Sequence, residues 1–306
     1  MDITFRQLKH FEAVYRLCSF VQAADDQQVT QSALTKSLRS LEDSLGNRLF
    51  DRSTRSVQPT ELGERLIKHA LKVLGQVEAL NEEAMHYSGR KVGRIALGAG
   101  PYPTYPVMTG AIQKFAEVNP GICVSLETGS SQKLLDDLVN RKLDIVVCDA
   151  SKYERTIHYD NMAVTPLEGD EIVVVHKSED GRFETPQGAA KALRELRFAF
   201  PKSSPHFLRQ MNSHQRSAEA RGEYPHYECD STSACIQLAR AGGVVAIVPK
   251  GCALEAEQSG DLSWSSLPKP LRTNDAVHYL KDRTMGPSVN QLIDLIRVEA
   301  MEIARR

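Results

Sequence analysis

The sequence of 306 residues predicts an α/β protein in three parts: a small helical domain, one long helix, and a two-lobed domain of strands and helices. Its length exceeds that of a usual single core, so more than one domain is expected. Apolar residues recur at helical spacing over about the first 60 residues, and then along about 25 more without interruption. From Arg94 onward, short apolar strands alternate with amphipathic helices, which is typical of α/β domains.

The N-terminal residues predict three short helices. The apolar side of the first helix consists of Leu8, Phe11, Val14 and Cys18. Ser19 is placed to cap a second helix that begins near Phe20, and Thr30 is placed to cap a third. The buried stripe of the third helix consists of Leu34, Leu38, Leu41 and Leu45. The second and third helices, joined by a short turn, predict a helix-turn-helix.

The opposite face of the third helix carries hydrogen-bonding and cationic side chains. They are Gln31, Ser32, Thr35, Lys36 and Arg39. In helix-turn-helix proteins, the N-terminal residues of the second motif helix meet the base edges of DNA. We therefore expect the first three of these residues to read bases, and Lys36 and Arg39 mainly to contact phosphates. An ordinary solvated helix face is the alternative interpretation.

A short basic hairpin is predicted directly after this helix. Gly46 is suited to ending the helix, and residues 47–57 predict a two-stranded wing anchored by Leu49 and Phe50. The wing residues expected to reach the DNA backbone or minor groove are Arg52, Ser53 and Arg55. The N-terminal region therefore predicts a DNA-binding domain.

At this point the chain resembles the LysR-type transcriptional regulators. The matching residues are Leu8, Phe11, Ser19-Phe20, Ala23-Ala24, Val29-Thr30-Gln31-Ser32-Ala33-Leu34, Leu38-Arg39-Ser40-Leu41-Glu42, Leu45-Gly46, Leu49-Phe50-Asp51-Arg52, Arg55 and Pro59-Thr60-Glu61-Leu62-Gly63. The resemblance implies a winged helix-turn-helix with its motif at about Val21 to Ser40. It also implies a homodimer or homotetramer that binds double-stranded promoter DNA and a small-molecule effector, with RNA polymerase as a further partner.

Two residues depart from the pattern of that family. Ser32 stands where the family usually has proline, and we expect it to alter base preference. Gln27 stands where a leucine would close the second helix, and we expect it to loosen local packing.

The stretch from Thr60 to about Tyr87 predicts one long helix. Its apolar row consists of Leu62, Leu66, Ala70, Val73, Val77, Leu80 and Ala84, widened by Ile67, Leu71 and Leu74. Such spacing over several heptads predicts packing against another helix, and the resemblance implies antiparallel dimerisation through it. A helix folded onto its own domain is the alternative. Residues 88–93 predict a hinge.

The remaining residues predict two lobes joined by two crossovers. Strands are expected at 95–99, 122–127, 143–148, 171–176, 198–200, 226–229, 244–248 and 276–281, and helices at 105–118, 130–141, 186–193, 205–220, 232–241 and 287–303. This alternation predicts mainly parallel sheets. The resemblance implies a periplasmic-binding-protein-like (type II) effector domain. The expected divisions are a DNA-binding domain at 1–61, a linker helix and hinge at 62–90 and an effector domain at 91–306, with lobe I about 91–165 and 268–306 and lobe II about 166–267.

Three segments that follow strands predict an effector site between the lobes. In such sheets, ligands bind beyond the carboxyl ends of strands. The expected effector-binding residues are Gly100, Tyr102, Thr104, Ser130, Ser131, Pro201, Lys202, Ser203 and Thr232. Serines at a helix N-terminus with a lysine nearby favour a carboxylate or another small anion, with Tyr102 as a flat apolar wall. Plain helix capping is the alternative for Ser130 and Ser131.

Charge and composition set limits on the function. The chain has a net charge of -1, and residues 1–90 hold 12 Lys and Arg against 12 Asp and Glu. This balance favours site-directed DNA binding with modest non-specific affinity. Six cysteines lack CxxC spacing and predict buried reduced thiols, while nine dispersed histidines give no basis for expecting a metal or other cofactor. Without an apolar span or signal peptide, a cytoplasmic protein that does not enter membranes is expected.

Two other function classes fit only parts of the sequence. Gly98-Ala99-Gly100 is similar to a dinucleotide-binding turn, but position 103 is proline where the third glycine would be, and other catalytic motifs are missing. A nicotinamide-type enzyme is therefore not expected. A transported-solute binding protein would fit the C-terminal lobes alone and leave the N-terminal motif unexplained.

Overall fold

The computed structural model describes residues 3–52, 57–87, 93–150, 161–185, 191–192, 195–202, 227–267, 270–283 and 285–306. The chain divides into two compact units, Met1–Gly89 with Asp282–Gly286, and Arg90–Lys281 with Pro287–Arg306. None of the helices in these described ranges is both long enough and apolar enough to cross a lipid bilayer.

The first unit is a winged helix-turn-helix followed by a long helix. Its elements are α1 (Phe5–Leu17), α2 (Phe20–Asp26), α3 (Gln31–Leu45), β1 (Phe50–Arg52), β2 (Val57–Pro59) and α4 (Glu61–Tyr87). Ser19 Oγ accepts from the Gln22 N–H at 3.3 Å, and Thr30 Oγ1 accepts from the Ala33 N–H at 3.2 Å. Gly46 ends α3 in the left-handed conformation. The winged helix-turn-helix and these three termini are as predicted.

The core of the first unit joins α1, α2, α3, the base of the wing and the first half of α4. Leu34, Leu38 and Leu41 are fully buried, as their spacing predicts. The Phe11 and Phe50 rings pack edge to face with centroids 5.6 Å apart. This contact fixes the wing to the helices, because Phe50 is the first residue of β1.

The long helix α4 packs partly on its own unit. Ile67, Ala70 and Leu74 are buried, so the alternative of a helix folded onto its own domain applies to this part. Val73 and Leu80 on the outer row are 47% and 67% exposed in the single chain. The first half of the predicted apolar row therefore packs within its own unit. Val73 and Leu80 stay accessible to a second helix. The predicted hinge at 88–93 lies outside the described residues except for Gly93.

The second unit contains two five-stranded sheets with helices against them. Its strands are β3 (Gly93–Ala99), β4 (Ile122–Thr128), β5 (Ile145–Asp149), β6 (Met162–Pro166), β7 (Ile172–Lys177), β8 (Arg197–Pro201), β9 (Tyr227–Cys229), β10 (Val244–Pro249), β11 (Leu262–Ser266) and β12 (Asp275–Leu280). Its helices are α5 (Thr109–Val118), α6 (Ser131–Val139), α7 (Thr232–Ala241), α8 (Lys250–Glu257) and α9 (Pro287–Ala304). The strand orders are β4-β3-β5-β12-β6 in lobe I and β11-β7-β10-β8-β9 in lobe II.

Both sheets are mixed, which corrects the expectation of mainly parallel sheets. In lobe I, β3 pairs in parallel with β4 and β5, whereas β12 pairs antiparallel with β5 and β6. Lobe II likewise has two parallel and two antiparallel pairings. The reason is the crossover, since a strand that returns from the other lobe enters its sheet in the opposite direction.

The two crossovers run beside each other. The chain leaves lobe I after Pro166 and returns to it at Asp275. The Thr273 N–H donates to the Asp170 carbonyl at 2.9 Å, and the Ile172 N–H donates to the Leu271 carbonyl at 2.8 Å. These bonds hold the outgoing and the returning segment side by side where the chain passes between the lobes.

Some predicted bounds were wrong, and some elements were missed. Helix α5 begins at Thr109 rather than at residue 105, because Tyr105 precedes proline and is extended at φ −137° and ψ 135°. The sequence did not predict β6, α8 or β11. The helix predicted at 205–220 lies outside the described residues, and the one at 186–193 lies mostly outside them.

Candidate functional sites

The polar side of α3 forms one open, concave surface. Its lining residues, here named the α3 face, are Gln31, Ser32, Thr35, Lys36, Arg39, Ser40 and Asp43. The five residues predicted from the sequence are thus brought together, with Thr35 half-buried and the others exposed. Ser40 and Asp43 were missed, although they continue the same row at helical spacing.

Gln7 caps the start of α1 and also joins α1 to α3. Gln7 Oε1 accepts from the Thr4 N–H at 2.8 Å, and its Nε2 donates to Ser40 Oγ at 3.2 Å. Ser32 Oγ lies 3.1 Å from Thr30 Oγ1, so the hydroxyl is oriented by the helix cap.

Gln27 is held by polar contacts. Gln27 Nε2 donates to Asp26 Oδ2 at 2.8 Å, and Arg16 binds the same oxygen at 2.8 Å. The expected loosening at Gln27 is therefore offset by these bonds.

The base of the wing is fixed by a buried carboxylate that was not predicted from the sequence. Glu42 Oε1 accepts from the Leu49 N–H at 2.9 Å and from the Phe50 N–H at 3.4 Å. The sequence did give one signal for this role, because Glu42 is an acidic residue inside the leucine stripe of α3. The backbone of Arg52 lies in β1, while its side chain and all of Ser53 and Arg55 lie outside the described residues.

Glu42→Ala should destabilise the first unit by about 1–3 kcal/mol, because two buried N–H groups lose their acceptor. Glu42→Gln keeps an acceptor oxygen at the same position and serves as the matched control. Thermal unfolding followed by circular dichroism measures the difference. Equal melting temperatures for wild type and Glu42→Ala would show that the carboxylate does not hold the wing.

A cavity of about 30 Å³ lies at the junction of the two lobes. Its lining residues are Gly100, Pro101, Tyr102, Pro103, Gly129, Ser130, Ser131, Asp149, Lys202, Asp230 and Asp275. Five residues of the predicted effector site therefore meet here: Gly100, Tyr102, Ser130, Ser131 and Lys202. The three aspartates were not predicted from the sequence. Asp149 ends β5 at the same sheet edge where β3 and β4 end, which was the available signal.

Other predicted effector residues lie elsewhere. Pro201 is buried at the end of β8 and does not line the cavity. Thr232 is buried as the first residue of α7, with its Oγ1 3.8 Å from Cys252 Sγ, so it contributes to packing. The side chain of Thr104 and all of Ser203 lie outside the described residues.

Tyr102 and Ser130 differ in part from their expected roles. The Tyr102 ring packs edge to face on Phe200 at 6.3 Å within the core of lobe II, and the residue is 8% exposed. It therefore connects the lobes and is not an open wall. Ser130 Oγ accepts from the Lys133 N–H at 3.4 Å, so the capping interpretation holds while Ser130 also lines the cavity.

The charges of the cavity are mostly negative among its described residues. Lys202 Nζ lies 2.8 Å from Asp230 Oδ1, and this contact raises the pKa of Lys202. Asp149 and Asp275 are both buried and lie opposite each other on β5 and β12. Burial, followed by repulsion from Asp149, raises the pKa of Asp275 to about 7.

Two buried groups beside this pair also have shifted pKa values. Burial raises the pKa of Asp170 to about 6, although its Oδ2 accepts from the Gly251 N–H at 2.8 Å. Burial lowers the pKa of His278 to about 4, so its ring is neutral at neutral pH. His278 therefore brings no positive charge to the Asp149 carboxylate.

Asp275→Asn should make the second unit more stable at about pH 8 than wild type, by about 1–3 kcal/mol. An acid whose pKa is raised in the folded state holds extra protons there, so its contribution to stability falls as pH rises from about 4 to about 7. The advantage of the variant should therefore grow over that range and stay constant above it. Unfolding by urea at several pH values tests this, and a pH-independent difference would contradict it.

The six cysteines differ in their exposure to solvent. Cys18 and Cys123 are exposed, contrary to the prediction of uniformly buried thiols, whereas Cys148, Cys235 and Cys252 are buried. Burial raises the pKa of Cys252 to about 12, which disfavours the reactive thiolate. Within the described ranges, no cluster of His, Cys, Asp and Glu is arranged to hold a metal ion.

Comparison with known proteins gives consistent matches for both units. Residues 5–64 match the family model described as bacterial regulatory helix-turn-helix protein, lysR family, and residues 88–300 match the LysR substrate binding domain. The chain is 28% identical to an SDS degradation transcriptional activation protein of a Pseudomonas strain, covering 95% of this chain and 94% of the relative. It is 29% identical to a probable hydrogen peroxide-inducible genes activator of Streptomyces viridosporus, covering 84% and 81%.

The solved structures agree in fold. A full-length OxyR from Pseudomonas aeruginosa, in a variant with one cysteine replaced by aspartate, aligns with a TM-score of 0.67 at 19% identity, covering 98% of this chain and 97% of that chain. At this level of identity, the alignment shows a common fold over both units.

Proposed function

Since this chain belongs to the LysR family of transcription regulators, we propose that it reads promoter DNA through the α3 face and the wing, and that a small molecule bound between the lobes modulates this binding. The observation that carries the proposal is the α3 face. Seven polar or charged residues share one concave surface on a helix whose other side is buried. Hydrogen-bond donors and acceptors in this arrangement fit base edges, and the two cations fit phosphates.

Two copies of the chain would be needed for selective binding. One winged helix reads too few base pairs, and a dimer doubles the contacts at two half-sites. The exposed Val73 and Leu80 on α4 support dimerisation along that helix. Pairs of dimers would form the tetramer, and RNA polymerase is a proposed further partner at the promoter.

The cavity between the lobes is the proposed effector site. Its volume of about 30 Å³ has room for one or two waters, so a larger ligand must move the lobes apart. The Tyr102–Phe200 contact crosses the lobes and would have to adjust. A lobe movement of this kind would change the spacing of the DNA-binding domains in an oligomer.

A DNase footprint on the DNA upstream of the gene and its neighbours tests the proposed function. We expect protection of a dyad with half-sites separated by about one helical turn or a multiple of it. Diffuse protection that disappears uniformly as salt rises would contradict sequence-specific binding.

A further inference from the structure

The side chain of Gln7 connects the start of α1 to the α3 face. Its Oε1 accepts from the Thr4 N–H at 2.8 Å and from Thr4 Oγ1 at 3.0 Å, while its Nε2 donates to Ser40 Oγ at 3.2 Å. A backbone N–H can only donate, so the atom that faces it must be the amide oxygen. The amide nitrogen of Gln7 therefore faces Ser40, and the hydrogen bonds to Thr4 fix this orientation.

This orientation determines how the Ser40 hydroxyl can bind. A hydroxyl has one proton to donate and two lone pairs that accept, whereas an amide N–H can only donate. Ser40 Oγ therefore accepts from Gln7 and keeps its own proton for another partner. Within the described part of the chain, the bond from Gln7 is the only side-chain hydrogen bond of Ser40. Because Ser40 is exposed and lines the α3 face, a partner from outside the protein can accept that proton.

The position of Ser40 on α3 favours the DNA backbone over the bases. Ser40 lies eight residues after Ser32, which is about 12 Å along the helix axis. The major groove is about 12 Å wide, and the N-terminal residues of a recognition helix meet the base edges. With Ser32 at the bases, Ser40 reaches the border of the groove, where the phosphates lie. Phosphate oxygens accept hydrogen bonds from hydroxyl groups, so they match a serine that has a proton to donate.

The charged neighbours of Ser40 indicate on which side of it the DNA backbone passes. Lys36 lies about one turn before Ser40 on the α3 face, and Asp43 lies about one turn after it. A phosphate is attracted by the ammonium group and repelled by the carboxylate, so we expect it on the Lys36 side of the hydroxyl. Lys36 then supplies the attracting charge, and Ser40 supplies a directed hydrogen bond.

From these contacts we infer that Ser40 donates its hydroxyl proton to a DNA phosphate, and that Gln7 is the positioning residue that leaves this proton free. The inference rests on the proposed function, because it takes the α3 face as the DNA-binding surface. It adds Ser40 to the phosphate-binding residues, which the sequence did not predict. It also gives α1 a part in DNA binding through Gln7, a side chain that is only 8% exposed.

Ser40→Ala should weaken binding to preferred and random DNA alike by about tenfold, because a hydrogen bond to a charged phosphate is lost. The slope of log affinity against log salt should keep its wild-type value, since a serine releases no counterion. Ser44→Ala is the matched control, because Ser44 lies outside the α3 face and its Oγ donates to the Ser40 carbonyl at 2.9 Å. The control variant should bind DNA like wild type.

Gln7→Glu tests the positioning role, since it reverses the bond to Ser40. A carboxylate keeps an oxygen for the Thr4 N–H, as in a capping box, but its second oxygen can only accept. Ser40 must then donate its proton inward. Ser40→Ala should therefore cost about tenfold in the wild-type background and close to nothing in the Gln7→Glu background. The added negative charge is present in both members of the second pair, so its effect cancels in this double-mutant cycle.

Fluorescence-anisotropy titrations of the full-length protein, on a duplex with the footprinted site and on a random duplex, measure these affinities. Wild-type affinity of Ser40→Ala for both duplexes would overturn the inference, as would a loss confined to the footprinted site, which would mean base readout. An equal loss from Ser40→Ala in both backgrounds would overturn the role of Gln7. The Ser40→Ala results are decisive even if Gln7→Glu fails to fold, because Ser40 is exposed.

The same titrations distinguish a wrong inference from a wrong proposed function. A wild-type protein that prefers the footprinted duplex supports the proposed function, whatever the variants of Ser40 and Gln7 do. A wild-type protein without that preference would contradict the proposed function, and the inference with it.

Discussion

Gly63→Ala is expected to separate the wing from α4 and to abolish specific DNA binding. A Cβ atom at this position would lie 2.3 Å from the Leu49 carbonyl oxygen. That oxygen accepts the Thr60 N–H at 2.9 Å, so the backbone cannot move away without breaking the bond that starts α4 beside the wing. We expect a loss of about 1–3 kcal/mol or more in the free energy of unfolding of the first unit, measured by thermal unfolding.

Two other glycines provide matched controls for this substitution. A Cβ at Gly93 would meet nothing within 4 Å, so Gly93→Ala should be close to neutral. Gly46 also has open space but a φ of +69°, so Gly46→Ala should cost about 1 kcal/mol through backbone strain alone. If Gly63→Ala were as stable as Gly93→Ala, close packing of the wing on α4 would not be required.

Gln31→Ala and Arg39→Ala should affect DNA binding in different ways. Loss of a base-reading amide should cost about 1–3 kcal/mol on the preferred site and relax the preference at particular base pairs. Loss of a phosphate-binding guanidinium should weaken binding to all sequences and lower the slope of log affinity against log salt by about 1. We expect the same uniform effect from Arg52→Ala. Titrations on preferred and random DNA over a salt series distinguish these outcomes.

Arg297→Ala, an exposed position on α9, controls for the loss of an arginine outside the α3 face. It should leave both affinities unchanged. Equal losses on preferred and random DNA from Gln31→Ala and from Arg39→Ala would contradict the division between base-reading and phosphate-binding residues.

The N-terminal domain was predictable because its signals are local. Ser19, Thr30 and Gly46 act within a few residues of their own positions, as caps and as a helix terminator. The leucine stripe of α3 likewise depends only on helical spacing. Glu42 was the exception, since its partners are backbone groups of the wing, which the spacing of α3 does not show.

The effector domain was less predictable where its structure depends on distant pairing. Helix α8 follows Pro249 and contains Gly251, so its sequence resembles a turn. Three of the five residues of β11 are serines, so it lacks the apolar run of a typical strand. The antiparallel return of β12 depends on the second crossover and not on local alternation. Asp149 and Asp275 are far apart in sequence and meet only through the β5–β12 register, so the charge of the cavity could not be predicted.

The most direct test of sequence-specific DNA recognition is the ratio of affinities for a selected site and for random DNA. Genomic fragments retained by the full-length protein supply the site, and competition titrations at near-physiological salt supply the ratio. We predict at least about a thousandfold preference for wild type, reduced in Gln31→Ala. A ratio near one for wild type, with affinity set by salt alone, would contradict the claim that the α3 face reads DNA sequence.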